Sequence, residues 1–359
     1  SGSGAAAAAA AGDDYELIEV GGEDDMGGRL VAQSPPQPPL TEEEWAAMHD
    51  AEGRLVSLPA LAARAFASGL CGDVRRDAWR YLLGLHVPGS TPDQRKAAVA
   101  QRRARYQGLL KQWQSMSTAQ AARFSSWRER VSRVEKDVRR TDRTQPLYAA
   151  EGGPASKALT RMLLSYAMYD FDMGYCQGMS DMAAPLLGVL RDESEAFWGF
   201  AALMERMGAN FQEDQQAMHA QLVALRGLLQ LVDPQLYAHL EQADALTCIW
   251  AFRWLLIHFK RELPYEGVLR LWEAAWSYPA TPHLHLYLAA AVLVHHRRAI
   301  MATVQDMDGM MRWAVGMSGQ LEVTSLLRLA SQLCARAGAA GADVCAGLRV
   351  RCQGPVALQ

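Results

Sequence analysis

Between Leu40 and about residue 350 this chain almost never alternates apolar with polar residues, while helix-start signals recur throughout. A half-buried strand needs that alternation, so the pattern leaves little but helices to build with. Thr41-Glu-Glu-Glu44 ahead of Trp45 has the form of a capping box, Thr41 as N-cap and Glu44 at the third helical position. Pro59 begins a second short helix. Asp73 to Leu83 carries an apolar stripe through Val74, Ala78, Trp79, Leu82 and Leu83, and Gly84 stands where a C-terminal cap belongs. A long charged helix is expected from Thr91-Pro92 toward Ser117. Further helical stretches are expected to begin near Ser156, Ser180, Asp192, Glu213, Pro234, Ala245, Pro264, Pro282, Asp306 and Glu322. No repeat with a period of about 20 to 50 residues is present, which argues against a regular solenoid. The expected fold class is all-α.

With 359 residues, 50% of them hydrophobic and 21% charged, the chain can bury a large core in one domain or two lobes. Its net charge is only −3, but the charge is uneven. A basic segment from Arg95 to Arg143 follows an acidic head that includes Asp13, Asp14, Glu16, Glu19, Glu23, Asp24 and Asp25. A basic face can steer an acidic protein, a nucleotide phosphate or a membrane surface, although most residues of such a run simply face solvent. No stacking aromatics are interleaved with it and no reading module accompanies it, so nucleic acid is not expected as a partner. The six cysteines form no CxxC pair and have no histidine at zinc spacing; they read as scattered, mostly buried thiols of a reducing compartment. His295-His296 has no carboxylate or cysteine at metal spacing, so no metal is assigned.

Residues 1 to 40 read as a disordered tail: alanines, then acids and glycines, then Ser34-Pro35-Pro36-Gln37-Pro38-Pro39. The proline run is most simply a spacer, with recruitment of an SH3 or WW domain as the sharper alternative. Tyr15-Glu-Leu-Ile18 has the makings of a strand-adding peptide. Ala5 to Ala11 lacks a basic n-region and is not a signal peptide. The longest apolar run, Leu284 to Val294, is far short of the ~20 residues a spanning helix needs. A cytoplasmic protein without a transmembrane segment is therefore expected.

Two motifs carry chemistry. In Val134-Glu-Lys-Asp137-Val-Arg-Arg140-Thr141, Asp137 and Arg140 are three apart and share a helical face, so the carboxylate can aim the guanidinium. Taken alone, such a pair is an ordinary surface ion pair, contributing at most about 1 kcal/mol. In Gly174-Tyr175-Cys176-Gln177-Gly178, two glycines bracket a turn that can reach positive φ, with Tyr175 as its anchor and Gln177 projecting. Taken alone, this is a turn leading into the helix at Ser180-Asp181. An arginine can neutralise charge on a transferring phosphoryl group, and a glutamine amide can hold an attacking water in line. Neither binds a nucleotide unaided.

Together with Arg75-x-x-x-Trp79-x-x-Leu82-Leu83-Gly84, these motifs reproduce the three ordered signatures of the TBC family of Rab GTPase-activating proteins, which the chain resembles from Leu40 to about residue 350. Phe252-Arg253-Trp254-Leu255-Leu256, Phe259-Lys-Arg261-Glu262 and Leu271-Trp272-Glu273 look like the family's second lobe. The string from Glu135 to Thr144, with Met168-Tyr-Asp-Phe-Asp172, resembles the branch acting on endosomal and lysosomal Rabs. The resemblance implies a two-lobed body, 41–212 and 213–352, with a short tail at 353–359 and both fingers in the first lobe. Arg140 would be an arginine finger and Gln177 a glutamine finger. Asp137, Thr141, Tyr175 and Gly178 would support them, and Arg75 and Trp79 would be scaffold residues holding the finger loops. The partner implied is a GTP-bound Rab, met at its switch regions and carrying its own GTP and Mg²⁺; no cofactor of the chain's own is implied. Location would be cytoplasmic and transiently on endomembranes, with peripheral membrane contact through the partner or the basic face. Arg253, Trp254 and Arg261 are expected to pack and form ion pairs. Val134 stands where isoleucine is usual, and His258, interrupting an apolar stretch, reads as a lone surface or boundary histidine. A recruiting module of the same fold, binding Rabs without accelerating hydrolysis, is the alternative; a basic-helix protein for nucleic acid or anionic membrane is a third.

Overall fold

Capping chemistry places the first helices where the punctuation expects them. In the computed structural model, which describes residues 38–348, Thr41 accepts from the Glu44 amide and the Glu44 carboxylate accepts from the Thr41 amide at 3.0 Å, opening α1 (Glu42–Ala47). Ser57 caps α2 (Leu58–Ser68), with Pro59 in its first turn. α3 (Gly72–Leu82) ends at Gly84, whose φ of 76° is the left-handed conformation a helix stop favours. A second capping box, Thr91 with Gln94, opens α4 (Pro92–Gln114). The chain then breaks twice, giving α5 (Thr118–Arg123) and α6 (Ser125–Arg140), before α7 (Pro154–Tyr169), α8 (Met179–Leu190) and α9 (Glu193–Met207).

The remaining elements are α10 (Gln216–Val232), α11 (Pro234–Gln242), α12 (Phe252–Leu256), α13 (Tyr265–Ser277), α14 (Leu284–His295), α15 (Arg297–Thr303), α16 (Met307–Gly316) and α17 (Val323–Cys345). Among the described residues, β pairing is limited to two isolated bridges, Leu40 with Leu70 and His49 with Leu55. The fold is all-α. Leu40, placed by the sequence reading at the end of the tail, is fully buried and belongs to the core. The rest of the tail to residue 37, with its proline run and the Tyr15 peptide, and the segment from 349 onward with Cys352, lie outside the described residues.

Burial explains the composition. Every residue of α8 except Gly188 is buried, and α8 packs on α9, α7 and α3. Leu284 to Leu293 of α14 are likewise all buried, against α17 and α10. The apolar run of α14 is thus an interior helix; among the described residues no helix is long and apolar enough to cross a membrane. Trp79, Trp198, Trp254 and Trp272 are each at most 1% exposed. Such a ring removes roughly 200 Å² from water, on the order of 5 kcal/mol of transfer free energy each.

One buried carboxylate joins two stretches about 200 residues apart. Glu273 of α13, fully buried, accepts from Arg75 Nε at 2.6 Å, from the Trp79 indole at 3.1 Å and from the Leu70 amide at 3.1 Å. Burial pushes the pKa of Glu273 up, and these donors act against that shift. Arg75 also reaches Glu266 at 2.7 Å. Arg75 and Trp79 therefore tie α3 to α13.

Candidate functional site

The end of α6 and the turn before α8 come together through one aspartate. Asp137 is buried, on the core face of α6. Its Oδ1 accepts from Arg140 Nη2 at 2.6 Å, and its Oδ2 accepts from the Tyr175 hydroxyl at 2.7 Å. Tyr175 is buried, which pushes its hydroxyl pKa up and keeps it a donor. Arg140 closes α6, with 55% of its side chain exposed, so the guanidinium is anchored at one nitrogen and open elsewhere. Its positive charge also suits the negative end of the helix dipole.

Thr141 completes the helix end. Its hydroxyl donates to the Asp137 carbonyl at 2.8 Å, satisfying one of the last-turn acceptors that helix geometry leaves over. The same oxygen lies 2.9 Å from the Ser180 hydroxyl, in the first turn of α8. The end of α6 and the turn before α8 are thus linked twice, through Asp137–Tyr175 and through Thr141–Ser180.

Both bracketing glycines have positive φ, 64° at Gly174 and 99° at Gly178. Each also lacks room for a side chain. A Cβ on Gly178 would stand 3.0 Å from Ile257 Cγ2, and one on Gly174 would stand 2.5 Å from Arg130 Nε. Between them Gln177 is exposed, and no hydrogen bond holds its amide among the described residues.

Arg130 lies in the basic segment most of whose residues were expected to face solvent, and the structure gives it a different task. Its guanidinium donates to the Phe171 carbonyl at 2.7 Å, lies 4.1 Å from the Phe171 ring centroid and closes over Gly174. Arg102 of the same segment is buried, donating to the Leu85 carbonyl at 2.7 Å, and Arg105 lies 5.4 Å from the Trp198 ring. Arg123, Arg128, Lys136 and Arg143 have no acidic partner among the described residues.

Arg75 and Trp79 are not part of this group: their hydrogen bonds go to Glu273 and Glu266 on α13, not to the end of α6 or the turn before α8. Arg253 and Arg261 form the ion pairs expected of them, Arg253 with Glu262 at 2.7 Å (Nε) and Arg261 with Asp181 at 2.8 Å. His258 is not a lone histidine. Its ring stacks on that of His285, centroids 4.8 Å apart, and burial pushes its pKa down to about 4. Lys260, which sequence reasoning left without a role, pairs with Asp142 at 2.5 Å. A charged triplet directly after an apolar run, Lys260-Arg261-Glu262, is the signal that could have found it, since charges entering a core must be paired. Among the described residues no group of three or more His, Cys, Asp or Glu is placed to hold a metal ion.

An aimed, half-exposed guanidinium on one segment and an unengaged amide on the segment tied to it are groups that can stabilise charge and orient water. Comparison with known proteins gives the family of the chain as a whole. The profile of the Rab-GTPase-TBC domain family matches residues 72–301. Human "TBC1 domain family member 17" is 40% identical over 296 residues, 82% of this chain and 46% of that protein. "GTPase-activating protein GYP7" of Yarrowia lipolytica is 35% identical over 341 residues, 88% of this chain and 46% of that protein. The chain thus spans about half the length of these curated relatives. The crystal structure of the Ypt/Rab-GAP domain of Gyp1p superposes with a TM-score of 0.69 at 20% identity, covering 81% of this chain and 95% of that one.

Proposed function

The chain belongs to the Rab-GTPase-TBC domain family, and from that premise we propose that it accelerates GTP hydrolysis on a Rab GTPase by lending two side chains to the partner's site. Arg140 enters beside the β- and γ-phosphates and neutralises charge as the bond to the leaving oxygen loosens. Gln177 holds the hydrolytic water in line. Asp137 aims Arg140, Tyr175 and Thr141 fix Asp137 and the helix end, and Gly178 lets the Gln177 turn form. GTP and Mg²⁺ come with the Rab, whose switch regions meet this surface. In the same proposal residues 41–212 and 213–352 are the two lobes, and the protein works in the cytoplasm and transiently on endomembranes.

The observation that carries this reading is the Arg140–Asp137–Tyr175 chain of hydrogen bonds, which leaves Arg140 half free and ends two residues from an exposed Gln177. An arginine supplied in trans is worth about 10³–10⁵ in rate. The test is single-turnover hydrolysis across a panel of purified GTP-loaded Rabs, starting with the late-endosomal group. At least one should be accelerated, and Arg140→Ala and Gln177→Ala should each remove most of that acceleration. A Rab that binds the wild-type chain but is hydrolysed at its intrinsic rate would favour the recruiting-module alternative.

A further inference from the structure

After α12 the backbone reverses through two residues that resist the conformation. His258 (φ 44°) and Phe259 (φ 57°) both occupy the left-handed region, which is costly for residues with side chains and clusters at functional positions. The reversal is held by the Phe259 amide donating to the Trp254 carbonyl at 2.8 Å and the Trp272 indole donating to the His258 carbonyl at 3.2 Å. It brings three neighbouring side chains against the two finger segments. Ile257 Cγ2 lies against Gly178, Arg261 reaches Asp181 at 2.8 Å, and Lys260 Nζ lies 2.5 Å from Asp142 Oδ1. Asp142, two residues past Arg140, is itself left-handed at φ 48°.

The Lys260–Asp142 pair is nearly sealed, its side chains 6% and 10% exposed. Buried ion pairs seldom add net stability over an apolar pair of similar volume, so stability alone is a poor reason for one here. Geometry supplies a better reason. Asp137–Tyr175 and Thr141–Ser180 tie the end of α6 to the Gln177 turn and to α8, but these are contacts between the two segments themselves. Lys260 adds a tie from a third segment, 118 residues away, at the residue where the chain leaves the helix end.

We propose that Lys260 is a positioning residue: its ion pair with Asp142 sets the end of α6, and hence Arg140, in register with the Gln177 turn, which Ile257 and Arg261 hold from the same reversal. The proposal rests on the reading of Arg140 and Gln177 as side chains lent to a GTPase.

The experiment uses the full chain and whichever GTP-loaded Rab the wild type accelerates most. Lys260→Met should lower kcat of stimulated hydrolysis between about 10-fold and 10²-fold, the scale of a misplacement near 1 Å, with KM for the Rab little changed. Lys260→Arg should recover part of the loss. Because Lys260→Met leaves Asp142 unpaired, the double variant Lys260→Met/Asp142→Asn is the control for folding; asparagine tolerates the left-handed position. It should match the wild type in thermal midpoint yet keep the kcat defect. Hydrogen exchange should show faster exchange at the Thr141 and Gln145 amides in both Met variants. Wild-type kcat in the double variant, or a loss confined to KM, overturns the proposal. Arg140→Ala run in parallel separates the two failures: if it retains stimulation, the functional reading itself falls; if it is inactive while the Lys260 variants are not, only this inference falls.

Discussion

At the scale of single residues, two polar contacts decide whether Arg140 has a direction. Asp137→Ala should free the guanidinium and leave the buried Tyr175 hydroxyl without its acceptor. An unsatisfied buried group costs about 1–3 kcal/mol, so urea unfolding should show a loss of that size together with a fall in stimulated hydrolysis. Arg140→Lys should fail nearly as badly as alanine, because an ammonium cannot bond Asp137 and also present a planar fork. Gly178→Ala should lower both stability and rate, since alanine would need φ 99° with Ile257 3.0 Å away. The Asp137–Arg140 pair and the glycine-bracketed turn that exposes Gln177 were legible as local structure, because a three-residue helical spacing and two glycines are local facts; their reading as a site came from the family resemblance alone. What Asp137 does with its second oxygen was not legible, since Tyr175 is 38 residues away.

At the scale of elements, helices that begin with a cap or a proline were readable to within a few residues. Thr41, Thr91, Asp192 and Asp306 each accept at a helix start, as their side-chain chemistry requires. The misses have physical causes. Phe124, at φ −98° and ψ 81°, separates α5 from α6 without glycine or proline to mark the break. The helix expected from Ala245 is instead a turn through Cys248 (φ 55°) and a 3-10 segment, leaving α12 only five residues long. The clamp between α3 and α13 was equally hidden, because Arg75 and Glu273 are 198 residues apart. That clamp yields a prediction of its own. Glu273→Ala leaves the Trp79 indole, the Leu70 amide and Arg75 Nε without their acceptor, with Arg75 keeping Glu266, and should cost about 3 kcal/mol of stability in urea unfolding. The rate at saturating Rab in the surviving folded fraction should fall less than it does for Asp137→Ala, because the hydrogen bonds of Glu273 go to Leu70, Arg75 and Trp79.

At the scale of the whole molecule, the all-α class followed from missing alternation, whereas the convergence of 137–142, 175–181 and 257–262 is a product of topology that no local pattern encodes. The His258–His285 stack is one consequence that pH can reveal. Burial holds His258 near 4 instead of 6.5, so the unfolded chain takes up its proton first as pH falls. The stability that the neutral ring contributes is complete above pH 6.5 and disappears toward pH 4. The stability gap between wild type and His258→Asn should therefore narrow across that window, as thermal unfolding at a series of pH values would show. The central claim, that Arg140 engages the transferring phosphoryl group, is tested most directly by affinity for a Rab loaded with GDP and aluminium fluoride, a mimic of the transition state. The wild-type chain should bind that form far more tightly than the GDP form, and Arg140→Ala should bind both alike. An undiminished preference in Arg140→Ala would contradict the account.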